Sequence, residues 1–321
     1  MNERSQGRAV AAAAGLLLLA LPAAAQAGAD DPAGAGNPWD AVAQDDGVTL
    51  GDQMSDGVCV ANRRVDERQL VHPITAPNIS EDPFITTDLR GTFINHSFPR
   101  SQFLDGQAAQ IFDVQGRLAV TDDLQIFVNR LGAADIHLPD SADHGITDLG
   151  LGFKYAILKD WRTHQHVSLG ASFEFGISDE DNFFDDDEAR LFATFARRVG
   201  EVNVSGSANL RLGVGAEDPR GDSDNLSLHL HADYPLHPNF SPVLELNYYD
   251  TLSNGENVTP YSGVDLANFG GNEDEDVLSY GLGGEARLLD DVVVRAAYEA
   301  ALTDNEDIFG DRWTLSAIWR F

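Results

Sequence analysis

Arg312-Trp313-Thr314-Leu315-Ser316-Ala317-Ile318-Trp319-Arg320-Phe321 alternates with period two. Trp313, Leu315, Ala317, Trp319 and Phe321 fall on one face; Arg312, Thr314, Ser316 and Arg320 fall on the other, with Ile318 the exception. Such alternation places apolar groups on one side of a β-strand and polar groups on the other. A strand this greasy along a whole face needs something to cover it, because an exposed apolar edge invites aggregation.

Working back from this stretch, the same pattern recurs about every 15–25 residues as far as Ile85. Strands are expected near 85–98, 107–119, 124–134, 145–158, 164–178, 189–199, 202–215, 226–236, 241–253, 277–289, 292–303 and 311–321. In one, Leu226, Leu228, Leu230 and Tyr234 oppose Ser227, His229, His231 and Asp233. In another, Leu149, Leu151, Phe153, Tyr155 and Ile157 oppose Gly150, Gly152 and Lys154. Short turns at 121–123, 159–160, 200–201, 237–239 and 290–291 alternate with long acidic loops at 133–144, 179–188, 216–225, 254–276 and 304–310. Short turns on one side and long loops on the other mark barrels that cross a bacterial outer membrane, whereas a soluble sandwich does not require that regularity. The expected fold is all-β: a single transmembrane antiparallel up-and-down β-barrel of about 12 strands over residues 85–321, of the outer-membrane type. An even strand number returns both chain ends to one side.

The other end of the chain reads as an export signal. Arg4 and Arg8 precede an apolar run from Ala9 to Leu21, and small residues follow at Ala23-Ala24-Ala25 and Ala25-Gln26-Ala27. Residues 1–27 are expected to be a cleaved signal peptide. Residues 28–47 are rich in Ala, Gly and Asp, and Pro73, Pro77 and Pro83 break the stretch before the first strand. The segment 28–84 is therefore expected to be a flexible periplasmic region, able to act as a strap or plug in the lumen. Cys59 is the sole cysteine, so no intramolecular disulfide is possible.

Charge narrows the partners. The chain carries 21 Lys+Arg against 52 Asp+Glu. Removing residues 1–27 deletes Glu3, Arg4 and Arg8, which leaves 19 minus 51, or −32. Phosphate-rich partners require a basic surface, so nucleic acid is excluded.

Which face meets lipid follows from cost. A lipid-facing Arg or Lys is penalised by roughly 2–4 kcal/mol at the bilayer midplane. The polar faces must then point inward, carrying Arg90, Asp113, Arg117, Asp148, Lys154, Glu174, Arg190, Arg211, His229, His231, Asp233, Glu245, Glu285, Arg287, Arg295, Glu299 and Arg320. Charges of both signs in a confined space face water or pair with one another, so a narrow, wet or salt-bridged lumen is expected. Neutralising Glu245, Glu285 and Glu299 is expected to lower a preference for cations. Trp161, Trp313, Trp319, Tyr155, Tyr248, Tyr280 and Tyr298 suit interfacial girdles.

Two resemblances bear on function. The stretch from Trp313 to Phe321 resembles the closing strand of outer-membrane barrels, which implies that Trp319 and Phe321 are part of a signal read by the barrel-assembly machinery. The run Gly145-Ile-Thr-Asp-Leu-Gly-Leu-Gly-Phe-Lys-Tyr155 resembles a strand of the transporter-like barrel family named for a meta-pathway of phenol degradation. Asp265-Leu-Ala-Asn-Phe-Gly270, Glu275-Asp276-Val277 and Trp313–Phe321 look like later segments of that family, and the resemblance spans most of residues 73–321. It implies an outer-membrane transporter, surrounded by outer-membrane lipid, for an unspecified small solute. No catalytic or ligand-binding residue carries over.

Motifs for chemistry are sparse. His229, His231 and Asp233 share a strand face in a pattern that can ligate a metal, but a polar lumen lining accounts for them better. The acidic runs Asp179–Glu188 and Asn272–Asp276 offer hard oxygen ligands without EF-hand spacing. There is no GxSxG elbow, phosphate loop or dinucleotide fingerprint. The sequence thus predicts a non-enzymatic channel or transporter for small solutes, without cofactor or metal. A membrane-embedded lipid hydrolase and a closed structural or adhesive barrel are the alternatives.

Overall fold

The computed structural model describes residues 71–100, 105–138, 141–161, 164–177, 187–214, 223–255, 261–272 and 276–321. The expected signal peptide, Cys59 and most of the acidic runs lie outside the described residues. The strands are β1 (Asp88–Ser97), β2 (Ala108–Ala119), β3 (Leu124–Arg130), β4 (Gly132–Leu138), β5 (Ser141–Ile146), β6 (Leu149–Asp160), β7 (Gln165–Phe175), β8 (Glu188–Val199), β9 (Val202–Gly213), β10 (Asp224–Asp233), β11 (Phe240–Ser253), β12 (Asp276–Arg287), β13 (Val292–Ala301) and β14 (Asp311–Arg320). All pairings are antiparallel, and β1 pairs with both β14 and β2, which closes the sheet into a barrel.

The fourteen elements make twelve staves, because two staves are each broken once. β3 and β4 both pair with β2, and β5 and β6 are parts of the next stave. At the first break β2 advances three residues, Gly116 to Asp113, while its partner advances four, Val128 to Gly132. One extra residue is a β-bulge, which bends the strand and shifts its side-chain phase. Gly132 is required there, since a Cβ would come within 1.9 Å of the Phe112 carbonyl oxygen. Beyond the bulge, β4 and β5 continue as a paired hairpin from Ala133↔Ile146 to Leu138↔Ser141. The sequence expectation of a long acidic loop over 133–144 is corrected: the strand pairing continues through Gly132–Leu138 and Ser141–Ile146.

Alternation sets inside from outside. Along β14 the apolar side chains face out, with Trp313 51% and Trp319 54% exposed, while Arg312, Thr314, Ile318 and Arg320 are buried within. Leu151, Phe153, Tyr155, Leu191, Leu244 and Leu282 continue the exposed apolar wall around the barrel. Trp161 departs from the expected girdle. It stacks on Phe84 and lies 4.3 Å from the His166 ring, which places it against the lumen contents.

Candidate functional site: the filled lumen

The side chains expected to face inward lie on the buried side of their strands. Arg90, Asp113, Arg117, Asp148, Lys154, Arg190, Arg211, His229, His231, Asp233, Glu245, Glu285, Arg295, Glu299 and Arg320 are all buried, while Glu174 and Arg287 are partly so. What they meet is protein. Among the described residues, two pieces of chain occupy the lumen, one nearer the short turns and one nearer the long loops.

The first is the strap, residues 71–84. It rises from the turn end, reverses in a helical turn where the Ser80 amide reaches the Ala76 carbonyl, and descends into β1. His72 Nδ1 lies 2.6 Å from Asp82 Oδ2, tying its two legs together. A chain without sheet partners must satisfy its backbone elsewhere, and here the wall does so. Glu245 accepts from the Ile74 amide (2.8 Å) and the Thr75 amide (2.7 Å). Arg295 donates to the His72 and Pro73 carbonyls, and Arg190 to those of Asn78 and Ile79. Lys154, wholly buried, donates to the Asp82 carbonyl at 2.7 Å and lies 3.4 Å from the Asp82 carboxylate. Glu81 sits among Arg117 (3.4 Å), Arg190 (3.7 Å) and Lys154 (3.8 Å).

The second is the inner loop, residues 261–272, from the long connection between β11 and β12. Asp307 holds its base by accepting from the Ser262 amide (2.7 Å), the Gly263 amide (3.0 Å) and Asn272 (2.7 Å). Its tip, Val264-Asp265-Leu266, is buried against Tyr249, Ile308 and Phe309 and joins the strap's Ala76 and Ile79 in one apolar cluster. Arg312 Nη1 donates to both Asp265 oxygens at 2.8 and 2.7 Å. Burial opposes charge on Asp265, but the Arg312 guanidinium outweighs it, so the carboxyl sits below the usual carboxylate range.

Several buried residues escaped the sequence reading. Arg130 was missed because the bulge breaks the alternation: Asn129 and Arg130 are consecutive and both buried. Arg312 stood on the polar face of the quoted strand but was not singled out. Glu81, Asp82 and Asp265 sit in non-strand chain with no periodicity to place them. The proposed His229-x-His231-x-Asp233 set divides. His231 lies between Glu245 (2.7 Å) and Asp233 (3.2 Å), whereas His229 lies between Asn247 Oδ1 (2.7 Å) and Ser227 Oγ (3.0 Å). Of the glutamates expected to bias a pore, Glu245 accepts from the strap and lies 2.7 Å from His231, Glu285 faces Arg320 at 3.6 Å, and Glu299 binds Arg312.

Comparison with known proteins bears on the barrel. A crystal structure of an outer-membrane channel from Pseudomonas putida F1 superposes with a TM-score of 0.56 at 13% identity, covering 78% of this chain and all of that one. The fold is that of an outer-membrane β-barrel. The NanC porin follows at a TM-score of 0.47 and 11% identity, over 73% of this chain and 100% of that one. The KdgM porin gives 0.42 and 8%, over 73% and 99%. No protein-family model and no curated protein matches the sequence.

Proposed function

We propose that this barrel lies in the bacterial outer membrane, reached through a cleaved signal peptide and the barrel-assembly machinery, and passes a small solute. The observation that carries the reading is the lumen filling. A polar wall encloses two segments, tied to it by hydrogen bonds, ion pairs and apolar contacts. A wall that needed only rigidity is satisfied by side chains pairing with one another, whereas here strand carboxylates and guanidiniums bind chain that belongs to no strand. The fold likeness to a protein named as an outer-membrane channel supports the reading, and the motif at Gly145–Tyr155 supports kinship with the phenol meta-pathway family. Planar bilayers test it: small, intermittent channels are expected from the full chain and larger ones when residues 28–84 are removed. Silence from both forms favours a closed structural barrel.

One observation favours a hydrolase as the second reading. Ser227 Oγ, His229 and Asn247 form a chain in nucleophile–base–orienter order. The Asn247 amide is fixed by donating to Thr75 and Glu299, so its oxygen faces His229 Nδ1 and leaves Nε2 to accept from Ser227. Ser227 is buried and also receives Asn209 at 3.3 Å, which favours a structural hydrogen-bond chain. Labelling of Ser227 by a fluorophosphonate would reverse that preference.

A further inference from the structure

Three arginines meet the inner loop near the loop end of the lumen, and they share one design. Each has a wall carboxylate of its own: Arg130 pairs with Glu174, Arg211 with Glu188 at 3.5 Å, and Arg312 with Glu299 at 2.6 Å. Each also extends an arm to an oxygen of the loop tip. Arg130 donates to the Asp265 and Leu266 carbonyls at 3.2 and 3.0 Å, Arg211 to the Val264 carbonyl, and Arg312 to the Asp265 carboxylate. The strands thus hold a ring of donors that loop oxygens happen to fill.

The rest of the tip matches an amphipathic body. Val264 and Leu266 flank Asp265 and pack among Tyr249, Ile308 and Phe309, and the Arg312 guanidinium lies 4.9 Å over the Phe309 ring. Val264 adopts φ +47°, the left-handed region that a β-branched side chain disfavours, directly after Gly263 at φ +89°. Backbone held in such a region persists only where its surroundings over-determine it, and it clusters at clamps and switches. The loop tip is a strained chain carrying one carboxylate between two apolar groups, seated on guanidiniums whose own charges the wall already balances.

We propose that Arg130, Arg211 and Arg312 form a binding site for a small carboxylate with an apolar body, and that the Val264-Asp265-Leu266 tip occupies it as a built-in stand-in. The inference rests on the solute-passage reading and adds a substrate class to it. A solute of this class takes the place of Asp265 on Arg312, the tip leaves for the long-loop side, and the apolar cluster receives the solute body. A tethered competitor acts at an effective concentration in the millimolar range or above, so removing its charge exposes the site to free ligand.

The test is calorimetric titration of the full chain in detergent with benzoate, and with benzamide as the neutral isostere. Asp265→Asn is expected to bind benzoate at least about tenfold more tightly than the native chain. Adding Arg312→Gln is expected to remove that gain. Asp265→Asn/Arg312→Lys keeps a cation beside Glu299, guards against misfolding, and is expected to lose most of the gain as well, since lysine lacks the planar fork. Benzamide is expected to bind none of them. Equal benzoate affinity in native chain and Asp265→Asn overturns the proposal, as does tight binding that survives both Arg312 substitutions or is matched by benzamide. Binding is read without current, so silent bilayers with this pattern intact would sink solute passage alone, and channels without the pattern would sink the carboxylate site alone.

Discussion

The two ends of the lumen are closed by different physics. At the turn end the strap supplies the counter-charges of Lys154 and Arg190, with Glu81 and Asp82 beside Lys154 and Arg190 reaching Glu81 and strap carbonyls, while Arg90 and Arg320 face the wall carboxylates Asp88 and Glu285. At the loop end the wall brings its own, with Glu174, Glu188 and Glu299 already paired to the arginines that hold the inner loop. Withdrawing the strap strands buried cations, and breaking a buried pair costs about 3–5 kcal/mol. Withdrawing the loop leaves paired arginines behind and returns Asp265 to water. The comparison teaches that the strap is the fixed stopper and the inner loop the movable one.

The largest expected effect attacks the strap. Glu81→Gln with Asp82→Asn leaves Lys154 without a carboxylate and should cost on the order of 3–5 kcal/mol, read as a fall in the urea midpoint at unchanged slope. A midpoint unmoved by the double substitution would erase the asymmetry. The next effect separates the ends. Ile308→Ala removes a fully buried side chain from the apolar cluster and should cost about 2–5 kcal/mol. Limited proteolysis should then cut within 261–272 sooner, with a smaller change at 71–84, where Ala76 and Ile79 share the cluster but the polar ties to the wall remain. Equal loosening at both ends would mean that the stoppers act as one unit.

The smallest effect depends on pH. Because the Asp265 carboxyl is depressed in the folded barrel, its contribution is present above the unfolded value of about 3.9. It declines as pH falls below that value and is gone once the lowered folded value is passed. Asp265→Asn should remove this contribution, roughly 1.5–3 kcal/mol for a hydrogen bond to a charged group, and flatten the acid dependence of loop protection. An unchanged pH profile would place the hold on the backbone carbonyls instead.

The barrel was legible because hydrocarbon outside and polar contents inside enforce strict alternation, as at Trp313 to Phe321 and Leu149 to Ile157. The side chains that rule assigns to the inner face at Arg90, Lys154, Arg190, Glu245 and Arg295 are buried. The rule failed at Arg130, where a bulge inserts one residue, and at 133–144, where strand pairing continues into the expected loop. It is silent on chain that belongs to no strand. Proline breaks suggested that the segment before β1 could enter the lumen, but nothing periodic marks Glu81 and Asp82 as partners of Lys154. Nor does it show that Asp265 turns inward, toward a strand end that is 47 residues further along at Arg312. Ser227 and His229 were read as lumen lining, and only the neighbouring strand supplies Asn247.

Hydrogen exchange on the native full chain in detergent, followed by mass spectrometry at neutral pH, compares the two stoppers without substitution. Fixed strap and movable loop predict amides such as Ile74 and Thr75 protected nearly as long as the strands, and amides of 262–269 exchanging far sooner. A strap that exchanges first, or two segments that exchange together, would contradict the unequal hold on which this picture of the lumen stands.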